Sequence, residues 1–358
     1  MSYLIETQII PVDPQNPDLV QIRRAAEVLR AGRLVAFPTE TVYGLGANAL
    51  DEAAIARIYL AKQRPVGDPV IAHIYQPAQL EILAIQIPDS AYRLAERFWP
   101  GPLTLVLQRA PGIPANIAAG RTTVAVRMPA HPVALALLAA ANVPVAAPSA
   151  NLFSRPSATT AAHVLEDLRG RVDLVLDGGA TTIGVESTVV DLTGAAPQIL
   201  RPGRVGLDDL RAILADIHLA PRYVNPLQEE IAPGQMLKHY APRAQVKLFT
   251  GARDTVLVAM VQVARQYQTA GKRIGVLVAD EDADYLGELL GDQSILFARL
   301  GSHADLAVIG HNLFAALRAL DAAGVTVILT RDFGRQGLGV AVWDRLLRAA
   351  EGQVIVVD

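Results

Sequence analysis

The chain has 358 residues, of which 51% are hydrophobic and 19% charged, and its formal net charge is −3. This length suits two domains of roughly 100–200 residues each, and this composition excludes a disordered chain. The sequence contains no cysteine, which excludes disulfides, thiol nucleophiles and cysteine-bound zinc.

Targeting and membrane signals are absent from the sequence. No apolar run reaches the roughly 18 residues of a membrane helix. The amino terminus has neither a basic start nor a signal-like apolar stretch. We therefore expect a cytoplasmic protein with no membrane partner.

The charge balance of residues 1–205 bears on nucleic-acid binding. This part contains 17 Lys+Arg and 17 Asp+Glu, a difference of zero, and Lys62 is its one lysine. A protein that binds nucleic-acid phosphates by charge normally has a basic excess. A few placed arginines suit bidentate recognition of a phosphate or carboxylate in a pocket.

Short β-like runs alternate with helical patterns over the first two hundred residues. The predicted strands are Leu34–Phe37, Val70–Ile74, Leu103–Gln108, Thr123–Met128, Val143–Ala147, Leu174–Leu176, Ser187–Leu192 and Gln198–Leu200. The predicted helices are Gln21–Ala31, Asp51–Lys62, Asp89–Trp99, Pro132–Ala141 and Thr160–Leu168. The strands are too many and too close for regular βαβ winding, which predicts one twisted mixed sheet with flanking helices.

A second domain is predicted after a proline-punctuated segment. Residues 206–220 form a small helix in this prediction, and the periodicity then disappears between Pro221 and Pro242. The predicted strands beyond it are Val246–Phe249, Ile274–Val278, Ser294–Phe297, Val325–Leu329 and Val354–Val357. The predicted helices are Thr255–Thr269, Ala304–Ala322 and Val340–Glu351. The fold class is α/β throughout, with a mixed-sheet domain at 1–210, a linker at 211–244 and a smaller Rossmann-like domain at 245–358.

The run from Phe37 to Gly46 is the most informative stretch of the chain. It places Thr39, Glu40, Thr41 and Tyr43 directly after a predicted buried strand. Pro38 is expected to end that strand, and the glycines at 44 and 46 to allow a tight turn. Ligands of α/β proteins usually bind at strand ends, so this run predicts part of a pocket.

Other polar residues also follow predicted strands or helices. They comprise Lys62-Gln63-Arg64-Pro65, Asp68, His73, Arg127, Pro148-Ser149-Ala150-Asn151, Ser187-Thr188-Val189-Val190-Asp191 and Arg201-Pro202-Gly203. Each has a structural explanation when taken singly, such as a helix-terminal cation or a cap. Together they predict a pocket for an anion or a nucleotide. The common phosphate loop and metalloprotease motifs are absent, and Gly337-Leu338-Gly339 is interpreted as packing.

These motifs closely resemble the threonylcarbamoyl-AMP synthases, in the long two-domain form that has a YrdC-like catalytic domain. The resemblance rests on Pro38-Thr39-Glu40-Thr41-Val42-Tyr43-Gly44-Leu45 and on the groups above in the family's order. His239-Tyr240-Ala241-Pro242 is typical of the linker of this form. The resemblance implies condensation of L-threonine, bicarbonate and ATP, with Mg²⁺, as the first step of tRNA threonylcarbamoyladenosine modification.

The resemblance also implies roles for individual residues. Lys62 and Arg64 would be catalytic. L-threonine would be bound by Thr41, His73, Arg127, Ala147 and Ser187. ATP would be bound by Arg64, Asp68, Thr123, Ser149, Asn151, Ser157, Arg201 and Tyr240, while the metal ligands are unknown. The partners would be the three substrates, the downstream tRNA-modifying machinery and a weak contact with tRNA.

Two points and two alternatives stay open at this stage. The family usually has asparagine where this chain has Asp68, and a carboxylate there would repel triphosphate unless a metal or Lys62 lay between. The segment from Pro221 to Pro242 is a candidate lid that brings Tyr240 to the nucleotide. The alternatives are a double-stranded RNA-binding module and a carbamoyl-transfer enzyme of the hydrogenase-maturation type.

Overall fold

The computed structural model describes residues 5–220, 240–291 and 294–358. By its internal packing the chain divides into two units. The described residues of the first unit are 5–153 and 157–220, and those of the second are 154–156, 240–291 and 294–358. Within the described ranges no helix is long and apolar enough to cross a membrane. Most of the predicted linker and lid, residues 221–239, lies outside them.

The first unit contains twelve strands and seven α-helices in its described residues. The strands are β1 (Gln8–Pro11), β2 (Val35–Phe37), β3 (Gly44–Asn48), β4 (Ile71–His73), β5 (Ala84–Ile85), β6 (Leu103–Arg109), β7 (Thr123–Arg127), β8 (Val145–Ala146), β9 (Leu174–Asp177), β10 (Thr188–Asp191), β11 (Gln198–Arg201) and β12 (His218–Leu219). The helices are α1 (Leu19–Arg30), α2 (Glu52–Lys62), α3 (Leu80–Leu83), α4 (Asp89–Phe98), α5 (Pro132–Ala141), α6 (Ala161–Leu168) and α7 (Leu207–Arg211).

These strands form one mixed sheet. Its order is β1-β9-β2-β3-β8-β4-β7-β6-β10-β11-β12, with β5 paired to β6. It contains both parallel pairs, such as β4 with β7, and antiparallel pairs, such as β6 with β7. The predicted mixed sheet with flanking helices is confirmed.

The two faces of this sheet are covered differently. One face packs on a large core along its whole width, because alternate strand residues point to the same side. The other face is backed by α1 and α5 at the β1 end only. Farther along that face, between β4 and β11, lies a small apolar cluster without helical members: Ile71, Val106, Ala125, Val189 and Leu200. We call this cluster the apolar floor.

The glycines at 44 and 46 do not form the predicted tight turn. They begin β3, which pairs antiparallel with β2 and β8. A Cβ atom on Gly46 would lie 2.9 Å from both Phe37 Cε1 and Val145 Cγ1. Glycine is therefore required by close packing of neighbouring strands rather than by turn geometry.

Most other elements agree with the sequence within a few residues. Asp51 caps α2 through its side chain, and Lys62 ends the helix, both as predicted. The strands β1, β3, β5 and β12, the helix α3 and a helix of the second unit, α9 (Asp280–Leu290), were not predicted. These are short or polar segments whose burial depends on distant neighbours. β12 pairs with β11, so the first sheet continues into the range predicted as a linker.

The second unit is a doubly wound parallel sheet, as the Rossmann-like prediction expects. Its strands are β13 (Gln245–Gly251), β14 (Ile274–Val278), β15 (Leu296–Arg299), β16 (Val327–Arg331) and β17 (Val354–Val357), in the order β15-β14-β16-β13-β17. Its helices are α8 (Arg253–Thr269), α9 (Asp280–Leu290), α10 (Leu306–Ala322) and α11 (Gly339–Ala349). α8 packs against α9, and α10 packs against α11.

Gly203 provides a test of the close packing at the end of β11. A Cβ atom there would lie 2.4 Å from Thr188 N and 2.7 Å from Glu186 O. We expect Gly203→Ala to lower the free energy of unfolding by about 1–3 kcal/mol, because backbone must move to accept the methyl group. Gly112→Ala is the matched control, since its Cβ would meet no atom within 4 Å. Urea unfolding measures both, and equal stability of the two variants would contradict the packing argument.

Candidate active site

A row of polar side chains crosses the sheet beside the apolar floor. His73 of β4 is the register partner of Arg127 in β7, and Arg127 is the register partner of Thr104 in β6. Thr104 Oγ1 lies 2.8 Å from Ser187 Oγ, which accepts a hydrogen bond from Arg201. The sheet order thus brings together four predicted site residues that are far apart in sequence.

Arg127 is the best-anchored residue of this row. Its Nη2 is 2.6 Å from Glu40 Oε1, its Nη1 donates to Thr41 Oγ1 at 2.9 Å, and its Nε donates to Gly101 O at 3.3 Å. The side chain is 4% exposed and that of Glu40 is 8% exposed. These bonds fix the plane of the guanidinium and leave further N–H donors for a ligand.

The loop after β2 is held in place by its own polar groups. Thr39 Oγ1 donates to Val42 O at 2.6 Å and lies 2.9 Å from Thr41 Oγ1. The backbone of Glu40 and Thr41 accepts hydrogen bonds from Ile183 and Gly184. This loop is therefore a rigid wall of the site, and Thr41 is fully buried within it.

His73 lies beside Arg127 and is neutral. Burial, followed by the nearby charge of Arg127, lowers its pKa to about 3. Its Nδ1 is 3.3 Å from Ile71 O, a carbonyl that accepts a hydrogen bond from the tautomer with the proton on Nδ1. His73 can thus contact a ligand without adding charge to it.

Ser187 and Arg201 form the far end of the row. Arg201 Nε donates to Ser187 O and Arg201 Nη2 to Ser187 Oγ, both at 3.1 Å. Both residues are buried. The guanidinium is oriented by the same serine that was predicted to contact threonine, so the two predicted subsites meet at this residue.

Lys62 is tied to the loop that follows β8. Its Nζ donates to Ser149 O and to Asn151 O, each at 2.5 Å, and the residue is 1% exposed. Ser149 also bridges to Gly44, next to the Thr39–Thr41 loop. The ammonium group therefore positions the Pro148–Asn151 loop, a role that its helix-terminal location did not predict.

Arg64 and Asp68 form a buried ion pair. Arg64 Nη2 lies 2.6 Å from Asp68 Oδ1, and the guanidinium also donates to Asp68 O and Pro69 O. Asp68 is fully buried, and its Oδ2 has no hydrogen-bond partner in the described ranges. A buried carboxylate oxygen without a donor is costly, so this oxygen is a candidate contact for a ligand or a cation.

The remaining predicted residues are placed as follows. Thr123 begins β7 and lies on the same face as Arg127, two residues before the Ala125–Ile71 register pair. Ala147 donates its N–H to Ile71 O at 2.8 Å. Ser157 Oγ donates to Glu186 Oε1 in a short contact. Tyr240 belongs to the second unit, where its ring packs on Phe314 and near Arg345.

Sequence reasoning missed three residues of the site. Glu40 had no predicted role, although it lies inside the most informative motif. Thr104 is the second residue of the strand β6, and Glu186 directly precedes Ser187. The polarity of Glu40 within a buried motif was a usable signal, whereas the other two need the sheet order.

The side chains of the site carry a small net positive charge. Four buried cations, Lys62, Arg64, Arg127 and Arg201, face three buried carboxylates, Glu40, Asp68 and Glu186. Held cations with little access to water are well suited to bind and stabilise anionic substrates. The described residues contain no group of three or more His, Cys, Asp or Glu side chains that could hold a metal ion.

Comparison with known families covers most of the chain. Residues 27–203 match a family described as "Telomere recombination" (Sua5_yciO_yrdC), and residues 205–351 match "Threonylcarbamoyl-AMP synthase, C-terminal domain". The threonylcarbamoyl-AMP synthase of Pyrococcus abyssi is 46% identical over 94% of this chain and 96% of its own length. That of Bacillus subtilis is 42% identical over 94% of both chains.

A solved structure agrees with these matches. The crystal structure of P. abyssi Sua5 complexed with L-threonine is 45% identical, with a TM-score of 0.91 over 98% of this chain and 99% of that one. The sequence identity and the fold therefore agree along nearly the whole chain. The chain belongs to the threonylcarbamoyl-AMP synthase family.

Proposed function

We propose that this protein is a nucleotidyltransferase that makes L-threonylcarbamoyladenylate from L-threonine, bicarbonate and ATP. The observation that carries the proposal is the fixed Arg127 beside His73 and Thr41, in a chain 45% identical to a relative whose structure holds L-threonine. The product is the activated intermediate of tRNA threonylcarbamoyladenosine modification. The full-length synthase relatives favour this function over an RNA-binding module or a hydrogenase-maturation carbamoyl transferase.

The reaction requires positioning more than acid–base catalysis. The threonine amine, after loss of a proton, forms a bond to the carbon of bicarbonate, and water leaves to give a carbamate. A carbamate oxygen then attacks the α-phosphorus of ATP, and the bond from that phosphorus to the β-phosphate oxygen breaks to release pyrophosphate. Both partners are anions, so their mutual repulsion is the main obstacle that the enzyme must offset.

L-threonine would lie along the row formed by His73, Arg127 and Ser187. The remaining donors of Arg127 suit the planar carboxylate of the amino acid. The neutral His73 and the hydroxyl groups of Thr41 and Ser187 would contact the polar substituents, and Ala147 would contribute its main chain. The apolar floor next to this row provides a surface for the less polar parts of the substrates.

ATP would be bound by Arg64 and by Arg201, the cation at the far end of that row. Arg64 and Arg201 would contact phosphate oxygens, while Lys62 acts on Ser149 and Asn151 by holding their loop. Thr123 and Ser157 complete the set proposed for the first unit. Because these side chains are already held by protein contacts, little ordering is left to occur when the nucleotide binds.

Asp68 is the proposed protein contact for Mg²⁺ that arrives with ATP. Mg²⁺ keeps several waters and commonly uses one or two carboxylates together with substrate phosphates, so a single buried carboxylate oxygen fits. Asp68 Oδ2 is such an oxygen. The ion would supply positive charge against the triphosphate, offsetting the repulsion expected from aspartate at a position where the family usually has asparagine.

The reaction is tested by pyrophosphate release. We expect release from ATP only when threonine and bicarbonate are supplied together, because the attacking carbamate needs both. Reactions with each one alone are the controls. Release with threonine alone, after rigorous removal of carbon dioxide, would indicate ordinary aminoacyl-adenylate formation and contradict the proposal.

Arg127 should act on threonine and not on ATP. We expect Arg127→Lys to raise the KM for threonine about tenfold or more, the factor that corresponds to roughly 1.4 kcal/mol of lost binding, and to change the KM for ATP much less. Lysine keeps the charge but cannot form the planar fork. Steady-state kinetics with each substrate varied decides this, and equal changes in both KM values would refute the assignment.

Asp68→Asn tests the Mg²⁺ contact. We expect the Mg²⁺ concentration for half-maximal activity to rise about tenfold, again roughly 1.4 kcal/mol, with the KM for threonine unchanged. Asp51→Asn, at the start of α2, is the control, because it makes the same substitution outside the site. An unchanged Mg²⁺ requirement would mean that Asp68 only pairs with Arg64.

A further inference from the structure

The second unit has its own ligand-binding geometry at the carboxyl edge of its sheet. β13 continues through α8 to β14, whereas the adjacent β16 continues through α11 to β17 in the opposite direction. In doubly wound sheets such a reversal opens a crevice between the two connections, and ligands bind there. None of the residues assigned to threonine or ATP lies at this edge.

Three arginines gather at this reversal point. Arg331 is the last residue of β16, Arg253 is the first residue of α8, and Arg335 lies between β16 and α11. The fully buried Asp282 accepts from Arg253 Nε at 2.8 Å and from Arg331 Nε at 2.6 Å. One carboxylate thus orients two guanidinium groups and neutralises only one of them.

Arg335 is fixed from two sides although its side chain is half exposed. Its Nε lies 3.1 Å from Asp332 Oδ2, and its guanidinium carbon lies 3.9 Å from the centre of the Trp343 ring. Asp332 also accepts from Thr250 at the end of β13. The group is therefore held in place while remaining accessible to a ligand.

Arg331 provides a second and independent indication of an anion-binding site. The residue is 8% exposed, and its Nη2 is buried without a hydrogen-bond partner among the described residues. Its Nε and Nη1 are used by Asp282 and by the carbonyl of Asp332. A buried charged donor without an acceptor is costly, and an oxyanion in the crevice would supply the acceptor.

The loop from Asp332 to Gly339 leaves room for such an anion. Gly334 and Gly337 have positive φ angles of 97° and 50°, and a Cβ on either would meet no atom within 4 Å. At Gly339, by contrast, a Cβ would lie 2.5 Å from Gly334 O. The loop is therefore tightly coiled but open on its glycine side, at the start of a helix without a side-chain cap.

Acidic residues of the neighbouring helices α8 and α9 are engaged elsewhere or exposed to water. Glu281 accepts from Ser302 and His303, and Asp284 pairs with Arg299 at 2.6 Å. Asp254 lies 3.4 Å from Arg253 Nη1, but its side chain is 92% exposed, where water screens its charge. These carboxylates do not cancel the arginine cluster at the β13–β16 edge.

We propose that the second unit binds a small phosphate-bearing anion between Arg253, Arg331 and Arg335. A phosphate group presents oxygens in several directions and can accept from three guanidinium groups, whereas a carboxylate has only two oxygens. The phosphate is that of free pyrophosphate or of a mononucleotide. The site does not depend on the reaction proposed above, because it uses none of the residues assigned there.

Trp343 provides a local readout in the full-length protein. The sequence has two tryptophans, so a Trp99→Phe background leaves Trp343 as the only one. We expect pyrophosphate, AMP or inorganic phosphate to change its fluorescence saturably, because the anion competes with the ring for Arg335. The ligand that acts at the lowest concentration identifies the source of the phosphate.

Variants and stoichiometry separate this site from the catalytic one. Arg335→Gln and Arg331→Gln should each weaken the fluorescence response at least about tenfold, a loss of roughly 1.4 kcal/mol. Arg299→Gln, at the end of β15 and separated from β16 by β14, is the matched control and should leave the response unchanged. In calorimetric titration of the wild type against Arg331→Gln, the number of sites for the most effective anion should fall by one.

Three results would overturn the proposal. The first is no saturable response to any of the three anions up to millimolar concentration. The second is a fluorescence response that persists unchanged in both arginine variants. The third is a response to duplex RNA alone that falls steeply with salt, since that would identify a nucleic-acid surface instead of a small-anion site.

Discussion

The buried contact of Arg127 with Glu40 and Thr41 is the interaction on which the first unit's site depends. It joins the end of β7 to the loop after β2, residues 87 positions apart in the chain. Removing one partner of such a buried pair typically costs about 3–5 kcal/mol, because the other charge is left unpaired. The same contact also sets the plane of the guanidinium. The stability of the loop and the orientation of Arg127 therefore depend on the same interaction.

The other cations of the site follow the same pattern of protein contacts. Lys62 is held by two carbonyl oxygens, Arg64 by Asp68 and two carbonyls, and Arg201 by Ser187. Each charge is thus placed before a ligand arrives, and water is largely excluded from it. A fixed and poorly hydrated cation interacts more strongly with an anion than a mobile surface lysine does. A chain without cysteine and without a net basic charge can therefore still bring two anionic reactants together.

The sequence was informative about local structure and less so about pairing. The helix Pro132–Ala141 was predicted to the residue, because a proline start and a continuous apolar pattern are local signals. The position of Arg127 at the end of a strand was equally predictable from the sequence. Its partner Glu40 was not, since the pairing depends on which strands become neighbours. The turn predicted at Gly44 and Gly46 was wrong for the same reason: both lie in β3, and glycine is needed at 46 because of Phe37 and of Val145, a strand residue about a hundred positions away. The helix α9 was missed although the three acidic residues of its first turn favour a helix start. One of them, Asp282, is buried and pairs with two distant arginines, which the sequence does not indicate.

The two units reach anion recognition by different physical means. In the first, a mixed sheet places side chains in a row across several strands, and no phosphate-binding loop is involved. In the second, a parallel sheet concentrates arginines where its connections diverge, next to a glycine-containing loop and a helix start. In both, a buried carboxylate holds a guanidinium in a set orientation: Glu40 for Arg127, Asp68 for Arg64, and Asp282 for Arg331. A carboxylate in this position lowers the net positive charge and so weakens the attraction for an anion. It also restricts the arginine side chain, so less conformational entropy is lost when the anion binds. That balance explains how a chain with a formal charge of −3 can contain several sites built for negatively charged ligands.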